Sequence, residues 1–427
     1  MLVQVPASGA EPVTCGPAAD PAGTSIMVVG DSVAQGSVDD WTWRYRLWEH
    51  LVGTGVDVDF VGPRDDLFDR QGDQFGSHDY ADPGFDQDHA ARWGMAFASQ
   101  DHPIGDLVAS CRPDVVVEAL GINDLTWLGT PPEMVLSAAR AFVVDARAAD
   151  PQVDVVLAEL PQTWFTGVTA YNQALPGLAS ELDTPESRVV AAVPAQELVQ
   201  DVDTYDPAHL SATGEVKMAA GVADALADIG VGALYPRPLP EVDNGPTRPA
   251  VLVASAGDGQ VALSWTRPPG ATGEVVWIRD ATLEEGWHPL PGRVEHPGSS
   301  WTATGLIDYH EYQFRLQSAK GSVVAEQLFS NVVAATPQKP APGPAALHLI
   351  ARRHRLVARW TSAAGATSYV LTWKRRGEPD SLRSRTTTAR RFRIDRVRPG
   401  KAYRVTVTPL NDRTPGPTAA ALARLRR

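Results

Sequence analysis

Cysteine is the scarcest residue in this 427-residue chain, which has only Cys15 and Cys111. Two cysteines cannot build the framework of a disulfide-stapled domain. A single bridge between the N-terminal arm and the first domain is compatible with the sequence, and so are two unpaired, small apolar side chains. The fold must therefore rest on hydrophobic cores, and the length allows two to four domains.

Long apolar runs are also missing: none approaches the roughly 20 residues that a membrane-spanning helix needs. Residues 1–23 are small, acidic and rich in proline, without the basic start and apolar middle of a signal peptide. Either the chain is cytoplasmic or its natural start lies elsewhere. The histidines His78, His89 and His102 match no ligand spacing, so we expect no metal and no cofactor.

Basic residues are few in the first 340 residues, which carry a net charge of −29. Residues 341–427 differ sharply, with 20 Lys and Arg against 4 Asp and Glu, a net charge of +16. This basic end predicts contact with an anionic glycan or cell wall, docking on the acidic body, or only a solvated arginine-rich face. Its arginines are not interleaved with aromatic residues, so nucleic acid is not an expected partner.

Short apolar runs alternate with Ala-rich helical stretches through the first half of the chain. The runs are typical of strands buried on both faces and cover Ile26–Val29, Val56–Val61, Val115–Leu120, Val153–Leu160 and Arg188–Val193. The predicted helices cover Trp41–Leu51, Glu133–Ala149, Ala170–Glu181 and Thr213–Ile229. This alternation predicts a mainly parallel sheet with helices on both sides. Gly62–Ala90 breaks the rhythm and is expected to be a long loop, either functional or disordered.

Two Pro-rich breaks, Tyr235–Pro249 and Pro337–Pro344, are each followed by short alternating strands typical of a β-sandwich. Strands are predicted at Val261–Trp265, Val275–Ile278, Ser300–Ala303, Tyr312–Leu316 and Asn331–Ala334, then at Leu356–Trp360, Ser368–Trp373, Arg391–Ile394 and Tyr403–Val407. Both units resemble the fibronectin type III domain. The resemblance implies buried Trp265 and Trp360 and corner tyrosines Tyr312 and Tyr403. The predicted divisions are an arm (1–23), an α/β domain (24–234), a linker (235–248), a sandwich (249–336), a linker (337–344) and a basic sandwich (345–427).

Polar residues with catalytic potential follow two buried strands and precede the last helix of the α/β domain. Ser32 comes after Gly30-Asp31, where open α/β sheets place their ligands. Asn123 follows the strand Val115–Leu120 and is expected at the same edge. Asp206 lies three residues before His209, so its carboxylate can reach one imidazole nitrogen while the other faces out.

These residue types suit nucleophilic catalysis. A serine hydroxyl becomes nucleophilic when a base takes its proton, and a histidine held by a carboxylate supplies that base. The resulting oxyanion needs preorganised donors. The Asn123 side chain and the Ser32 backbone amide are candidates.

Gly30-Asp31-Ser32, Gly121-Ile122-Asn123-Asp124 and Asp206-Pro207-Ala208-His209 resemble, in this order, three of the four blocks of the SGNH (GDSL-type) hydrolases. The stretch from Gly30 through Trp48 resembles the carbohydrate acetyl esterase branch most. The resemblance implies a flavodoxin-like three-layer fold, Ser32 as nucleophile, His209 as base, Asp206 as its orienter and Asn123 as oxyanion donor.

The remaining block departs from the family pattern because no Ser-Gly occurs in Asp82–Ala98. The missing group is a backbone N–H, for which Gly94 and Arg92 are candidates. Asp31 is expected to cap a helix, and Asp124 to hold the turn beside Asn123.

Trp93 and Trp127 are candidates for a sugar-stacking platform, although core packing is the more common role of such side chains. By resemblance, fibronectin-like domains behind such an enzyme imply secretion and a polymeric substrate, preferably an acetylated polysaccharide. The alternatives are an esterase acting on short-chain lipids or simple acyl esters, and an inactive binding or adhesion protein. The sequence leaves the oligomeric state open.

Overall fold

All five predicted apolar runs enter one parallel sheet in the computed structural model, which describes residues 13–15 and 23–426. The strands of this first domain are β1 (Thr24–Gly30), β2 (Val58–Phe60), β3 (Leu67–Asp69), β4 (Gln74–Ser77), β5 (Ala90–Ala91), β6 (Val115–Ala119), β7 (Asp154–Ala158) and β8 (Val189–Ala192). The sheet order is β2-β1-β6-β7-β8, with the short β5 paired to β1. The five long-range strands thus follow the flavodoxin-like order, which confirms the predicted fold class.

Helices cover both faces of this sheet. They are α1 (Ser32–Gln35), α2 (Trp43–Gly53), α3 (Ile104–Cys111), α4 (Ile122–Thr126), α5 (Pro132–Ala149), α6 (Val168–Leu182) and α7 (Ala212–Asp228). Successive residues of a strand point to opposite faces. Ile26 and Val28 therefore pack with α2 and α7, whereas Met27 and Val29 pack with α3 and α5. The predicted helices are all present, and α1, α3 and α4 are additional helices outside the predicted ranges.

The region predicted as a long loop, Gly62–Ala90, contains the β3–β4 hairpin and a small core of its own. Tyr80 and Phe85 are buried there against Leu67 and Tyr45. The region is therefore packed onto the domain, because its few aromatic residues bury enough apolar surface to hold the polar segments between them.

The first sandwich is built from two antiparallel sheets. Its strands are β9 (Val251–Ala256), β10 (Gln260–Thr266), β11 (Gly273–Asp280), β12 (His288–Pro289), β13 (Val294–Glu295), β14 (Ser300–Thr304), β15 (Tyr312–Lys320), β16 (Val323–Phe329) and β17 (Val333–Ala335). One sheet is β14-β10-β9, and the other is β12-β11-β15-β16, in which β13 also pairs with β11 and β17 with β15. Trp265 lies in the core between them.

The second sandwich repeats this plan. Its strands are β18 (Leu347–Ala351), β19 (Arg355–Trp360), β20 (Ser368–Arg375), β21 (Arg383–Thr387), β22 (Arg391–Asp395), β23 (Ala402–Asn411), β24 (Thr414–Pro415) and β25 (Ala419–Arg424). Trp360 is buried in its core. Tyr312 and Tyr403 each accept a hydrogen bond from the backbone N–H five residues earlier, at 3.1 Å in both sandwiches, as corner tyrosines do. Two immunoglobulin-like sandwiches are thereby confirmed.

A disulfide joins Cys15 to Cys111 at the end of α3, so the two cysteines are paired. The rest of the predicted N-terminal arm, apart from residues 13–15 and 23, lies outside the described residues. Within residues 13–15 and 23–426, no helix is long and apolar enough to cross a membrane.

The three domains contact one another in chain order. Between the first two, the Ser322 backbone N–H donates a hydrogen bond to the Tyr205 carbonyl at 2.8 Å. Between the sandwiches, the Tyr309 hydroxyl accepts a hydrogen bond from the Arg413 backbone N–H at 3.1 Å. The α/β domain therefore meets the first sandwich, and the first sandwich meets the second.

Candidate active site

Ser32 is the first residue of α1 and lies directly beyond the carboxyl end of β1. Asp31 caps this helix, because its side chain accepts a hydrogen bond from the Val33 amide at 2.9 Å. The Ser32 amide itself makes no hydrogen bond within the described ranges. A free donor thus lies beside the Ser32 hydroxyl, and Asp31 has its predicted capping position.

His209 connects Ser32 to Asp206 through its two ring nitrogens. Its Nε2 lies 2.9 Å from Ser32 Oγ, and its Nδ1 lies 2.9 Å from both carboxylate oxygens of Asp206. The Tyr205 amide donates to the His209 carbonyl at 3.0 Å, which closes a short loop just before α7. The structure therefore brings the three predicted catalytic residues together in hydrogen-bonding geometry.

The Asp206 carboxylate is fully surrounded by donors. The amides of Ala208 and His209 donate to Oδ1 at 2.9 and 2.8 Å, and Arg70 Nη1 lies 2.6 Å from Oδ2. Although burial acts to raise the pKa of Asp206, the hydrogen bond and charge of His209 and the two amides hold it well below its usual value. The carboxylate is therefore negative whenever His209 needs a counter-charge.

Asn123 lies near Ser32 because β1 and β6 are adjacent and in register, with Gly30 opposite Ala119. The short segment after each strand therefore starts at the same level of the sheet. One Nδ2 hydrogen of Asn123 is donated to the Met95 carbonyl at 2.8 Å. The amide has a second hydrogen, which leaves Asn123 able to donate to an oxyanion.

The loop after β5 decides between the two candidates for the third donor. The Arg92 amide donates to the Gly30 carbonyl at 3.0 Å, so it is not available, and this half of the prediction is wrong. The Gly94 amide has no partner among residues 13–15 and 23–426. Gly94 has a φ of +80°, a conformation that favours glycine and turns the chain back at this point. Gly94 remains the backbone candidate.

The two tryptophans of the predicted sugar platform have different environments. Trp93 is stacked against His209, with ring centroids 4.2 Å apart, and against Phe68, with ring centroids 4.7 Å apart. Trp93 therefore packs against the imidazole of His209 and restricts its position. Trp127 is 70% exposed and lies next to Gly94, where an added Cβ would be 3.5 Å from its ring. Only Trp127 presents a free aromatic face beside the candidate oxyanion donor.

Three acidic side chains close to Ser32 in the fold, those of Asp31, Glu118 and Asp124, are buried. Burial raises the pKa of Asp31 to about 7 and that of Glu118 to about 8, and it also raises the pKa of Asp124. Asp124 accepts hydrogen bonds from the amides of Phe97 and Ala98, at 2.9 and 3.3 Å. Asp124, beside Asn123, therefore also holds the neighbouring segment 97–98.

Sequence reasoning missed two side chains that build the site. Arg70 reaches Asp206 from the turn of the β3–β4 hairpin. Gln35, which is fully buried, accepts a hydrogen bond from the Trp93 amide at 2.7 Å and thereby positions that ring. Arg70 lies in no motif, whereas Gln35 lies in the stretch from Gly30 through Trp48 that resembles the acetyl esterases, and its position next to the serine could have suggested a role.

The histidines of the irregular region do not converge. His89 is buried and bonded to backbone groups of Asp66 and Ala91, and burial lowers its pKa well below the usual value. His78 lies near Asp65 at the surface. In the part of the chain that the structure describes, no group of three or more His, Cys, Asp or Glu residues could hold a metal ion.

Comparisons with known proteins show two kinds of similarity. The chain matches no protein-family model. A carbohydrate esterase family 3 protein from Talaromyces cellulolyticus is 27% identical, with a TM-score of 0.41, over 48% of this chain and 97% of that one. A family 3 carbohydrate esterase from Clostridium thermocellum is 24% identical, with a TM-score of 0.40, over 48% and 96%.

The second kind of similarity is to fibronectin type III proteins. A two-domain fibronectin type III segment of chicken tenascin is 14% identical, with a TM-score of 0.29, over 41% of this chain and 98% of that one. A separate match is to a curated protein, the protein sidekick of Drosophila melanogaster, which is 28% identical over 207 residues, 43% of this chain and 9% of that protein. The chain thus spans less than a tenth of this curated relative's length. Carbohydrate esterases and fibronectin type III domains are thus the two kinds of protein that the sequence motifs were predicted to resemble.

Proposed function

We propose that this chain is a serine esterase that hydrolyses short-chain esters, acetyl esters above all, through an acyl-enzyme on Ser32. The observation that carries the proposal is the continuous hydrogen-bonded line from Ser32 Oγ through His209 to Asp206, with 2.9 Å at each step. This geometry is what nucleophilic catalysis by serine requires.

In the proposed reaction His209 Nε2 takes the Ser32 proton as Oγ attacks the ester carbonyl carbon. The carbonyl oxygen becomes an oxyanion, for which the amides of Ser32 and Gly94 and the side chain of Asn123 are the donors. His209 then protonates the leaving alcohol as the ester C–O bond breaks. Water attacks the acyl-enzyme, again with His209 as base, and releases the carboxylic acid and free Ser32. Asp206 stabilises the imidazolium throughout.

A carbohydrate acetyl ester is the preferred substrate. The sequence resemblance to carbohydrate acetyl esterases favours it, and the exposed ring of Trp127 beside Gly94 gives an apolar face on which a sugar ring can lie. Short-chain lipids and simple acyl esters are the alternative substrates, and they would not need that ring.

Secretion is the proposed location. The Cys15–Cys111 disulfide is a bond that persists in oxidising environments and is rare in the cytosol. Together with the two fibronectin-like sandwiches, it favours an extracellular protein over a cytoplasmic one.

The second sandwich is proposed to contact an anionic glycan or cell wall. Arg359 and Arg391 are opposite each other on β19 and β22, and both are exposed. Neither is paired with a carboxylate within the described residues, whereas the neighbouring Arg393 bonds to Asp395. Retention of the full chain on polygalacturonate should fall with added salt and with Arg359→Gln plus Arg391→Gln. Arg140→Gln, on α5, is the matched control.

The test of the esterase proposal compares p-nitrophenyl acetate with longer acyl esters, for the native chain and for Ser32→Ala. We expect acetate to be turned over fastest and Ser32→Ala to lose turnover, while Ser137→Ala on α5 does not. A fluorophosphonate should phosphonylate Ser32 Oγ with loss of fluoride, and mass spectrometry should find this adduct in the native chain only. If the native chain and Ser32→Ala are equally slow on every ester and neither is labelled, the proposal is wrong and the binding-protein alternative takes its place.

A further inference from the structure

The hairpin turn between β15 and β16 of the first sandwich contacts the α/β domain beside the proposed catalytic residues. This segment, Lys-Gly-Ser at 320–322, is called the 320–322 turn. The Ser322 amide donates to the Tyr205 carbonyl at 2.8 Å, and the Ser322 hydroxyl to the Thr204 carbonyl at 3.4 Å. The next residue of that loop is Asp206. The turn thus bonds to the backbone that leads directly into the Asp206–His209 pair.

The middle of the turn is glycine for a steric reason. Gly321 has a φ of +54°, and a Cβ added there would overlap the Tyr205 carbonyl oxygen. Its amide donates to Thr272 Oγ1 at 2.7 Å, and its carbonyl accepts from Arg293. The turn is therefore fixed on its own sandwich while its backbone lies directly against the catalytic domain.

Lys320 adds a buried charge to this contact. Its ammonium is 4.8 Å from the centroid of the Tyr205 ring, donates to the Val38 carbonyl at 2.8 Å and forms an ion pair with Asp40. The other oxygen of Asp40 accepts from Ser37 Oγ at 2.9 Å, and that hydroxyl lies 3.0 Å from the Tyr205 hydroxyl. Tyr205 is thus held at its ring face, its hydroxyl and its carbonyl.

Tyr205 in turn contacts the proposed base. Its ring is stacked on His209 with centroids 5.8 Å apart and an angle of 16° between the planes. Its amide donates to the His209 carbonyl. Trp93 also stacks on the imidazole, with ring centroids 4.2 Å apart. A displacement of Tyr205 would therefore move both the backbone and the ring of the base.

We infer that the first sandwich is a working part of the catalytic unit, and that the 320–322 turn holds the Asp206–His209 loop in its reactive position. Lys320 and Gly321 are positioning residues, since they act through Tyr205. The inference about catalysis rests on the proposed function. The inference that the 320–322 turn holds residues 203–210 does not. The sandwich is accordingly more than a spacer between the enzyme and its surroundings.

The experiment compares Gly321→Ala with Gly305→Ala in the full chain. Gly305 follows β14 in the same sandwich, has a φ of +73° and no heavy atom within 4 Å of an added Cβ, so it carries the backbone strain without the contact. The measurements are kcat and KM on p-nitrophenyl acetate and hydrogen–deuterium exchange over residues 203–210. For Gly321→Ala we expect kcat about 10- to 100-fold below that of Gly305→Ala, KM within about threefold, and faster exchange in that loop.

The inference requires both a lower kcat and faster exchange in residues 203–210. A kcat within about twofold of that of Gly305→Ala, or unchanged exchange, overturns it. If Gly321→Ala does not fold, Lys320→Met replaces it with the same expectations, and Lys320→Arg should restore part of kcat because it keeps the charge toward Asp40. If the native chain does not turn over the ester, the proposed function fails, while the exchange comparison still decides whether the turn holds the loop.

Discussion

Arg70 Nη1 and Asp206 Oδ2 lie 2.6 Å apart, although the two residues are separated by 136 positions in the chain. The hairpin that carries Arg70 is thereby attached to the proposed catalytic carboxylate. The Arg70 side chain is 36% exposed, so solvent screens its ion pair with Asp206. Such exposed pairs contribute about 1 kcal/mol or less to the free energy of unfolding. We expect Arg70→Gln to lower kcat by a few-fold only, because three other donors remain on Asp206.

The measurement is kcat on p-nitrophenyl acetate, with Arg140→Gln as the control because Arg140 forms a comparable exposed pair with Glu181. A hundredfold loss, on the order of 3 kcal/mol, would show that the ion pair does far more than orient the carboxylate.

Asp206→Asn should lower kcat by about 10³–10⁴-fold at neutral pH, because the amide can stabilise the wrong tautomer of His209 and cannot balance an imidazolium charge. The fold should survive, since the asparagine oxygen can still accept from the Ala208 amide. Circular dichroism and a melting curve check the fold, and steady-state kinetics check the loss. A kcat within about tenfold of the native value would remove Asp206 from the mechanism.

Asn123→Ala should lower kcat by about 10²–10³-fold with little change in KM, because the lost donor acts on charge that develops only in the transition state. Thr126→Val, on the same short helix α4, is the matched control for disturbance of that helix. Equal kcat values for the two variants would contradict the oxyanion role of Asn123.

Glu118→Gln should flatten the pH dependence of stability. Glu118 is fully buried, and its folded pKa of about 8 lies above the ordinary 4.5, so the folded protein keeps a proton that the unfolded chain loses. Stability contributed by this group is complete below about pH 4.5 and is lost as the pH rises toward 8, by at most about 1.4 kcal/mol per pH unit. The glutamine cannot ionise, so the stability of the variant relative to that of the native chain should increase as the pH rises over that interval.

Urea unfolding at about pH 5 and about pH 8 measures this difference. Glu133→Gln, at an exposed position of α5, is the control and should run parallel to the native chain. A native chain whose stability does not decline relative to Glu118→Gln would show that Glu118 is not protonated in the folded state.

Trp127→Ala should separate polymer binding from chemistry. Loss of an exposed aromatic platform should raise KM for an acetylated polysaccharide by about tenfold, on the order of 1.4 kcal/mol, and leave p-nitrophenyl acetate hydrolysis within about twofold. Trp301→Ala, on the first sandwich and 37% exposed, is the control. Equal effects on both substrates would favour a structural role for Trp127 and the small-ester alternative.

The strands and long helices of the α/β domain could be predicted because their apolar runs are continuous and their periods are clear. The β3–β4 hairpin could not, since three- and four-residue strands rich in Gly, Asp and Gln carry no usable period. Helix α3 was missed for a similar reason, because its eight residues are too few to establish a helical repeat.

The proposed catalytic residues could be predicted from the sequence because each occupies a motif at the end of a regular element. Their supports could not be identified in this way. Arg70 reaches Asp206, and Lys320 reaches Tyr205, only because separate parts of the chain fold onto the same loop. Likewise, Arg92 and Gly94 were equivalent in the sequence, and the register of β5 beside β1 separated them by pairing the Arg92 amide with Gly30.

The register of β1 and β6 fixes the relative positions of Ser32 and Asn123. Five consecutive residue pairs align, from Ile26 with Val115 to Gly30 with Ala119, so Ser32 and Asn123 are set at a fixed offset by the sheet alone. A strand advances about 3.3 Å per residue, roughly the length of one hydrogen bond. One residue inserted into or deleted from either strand would shift Ser32 relative to Asn123 by about that distance, so that the hydroxyl and the side-chain amide could no longer reach the same carbonyl group.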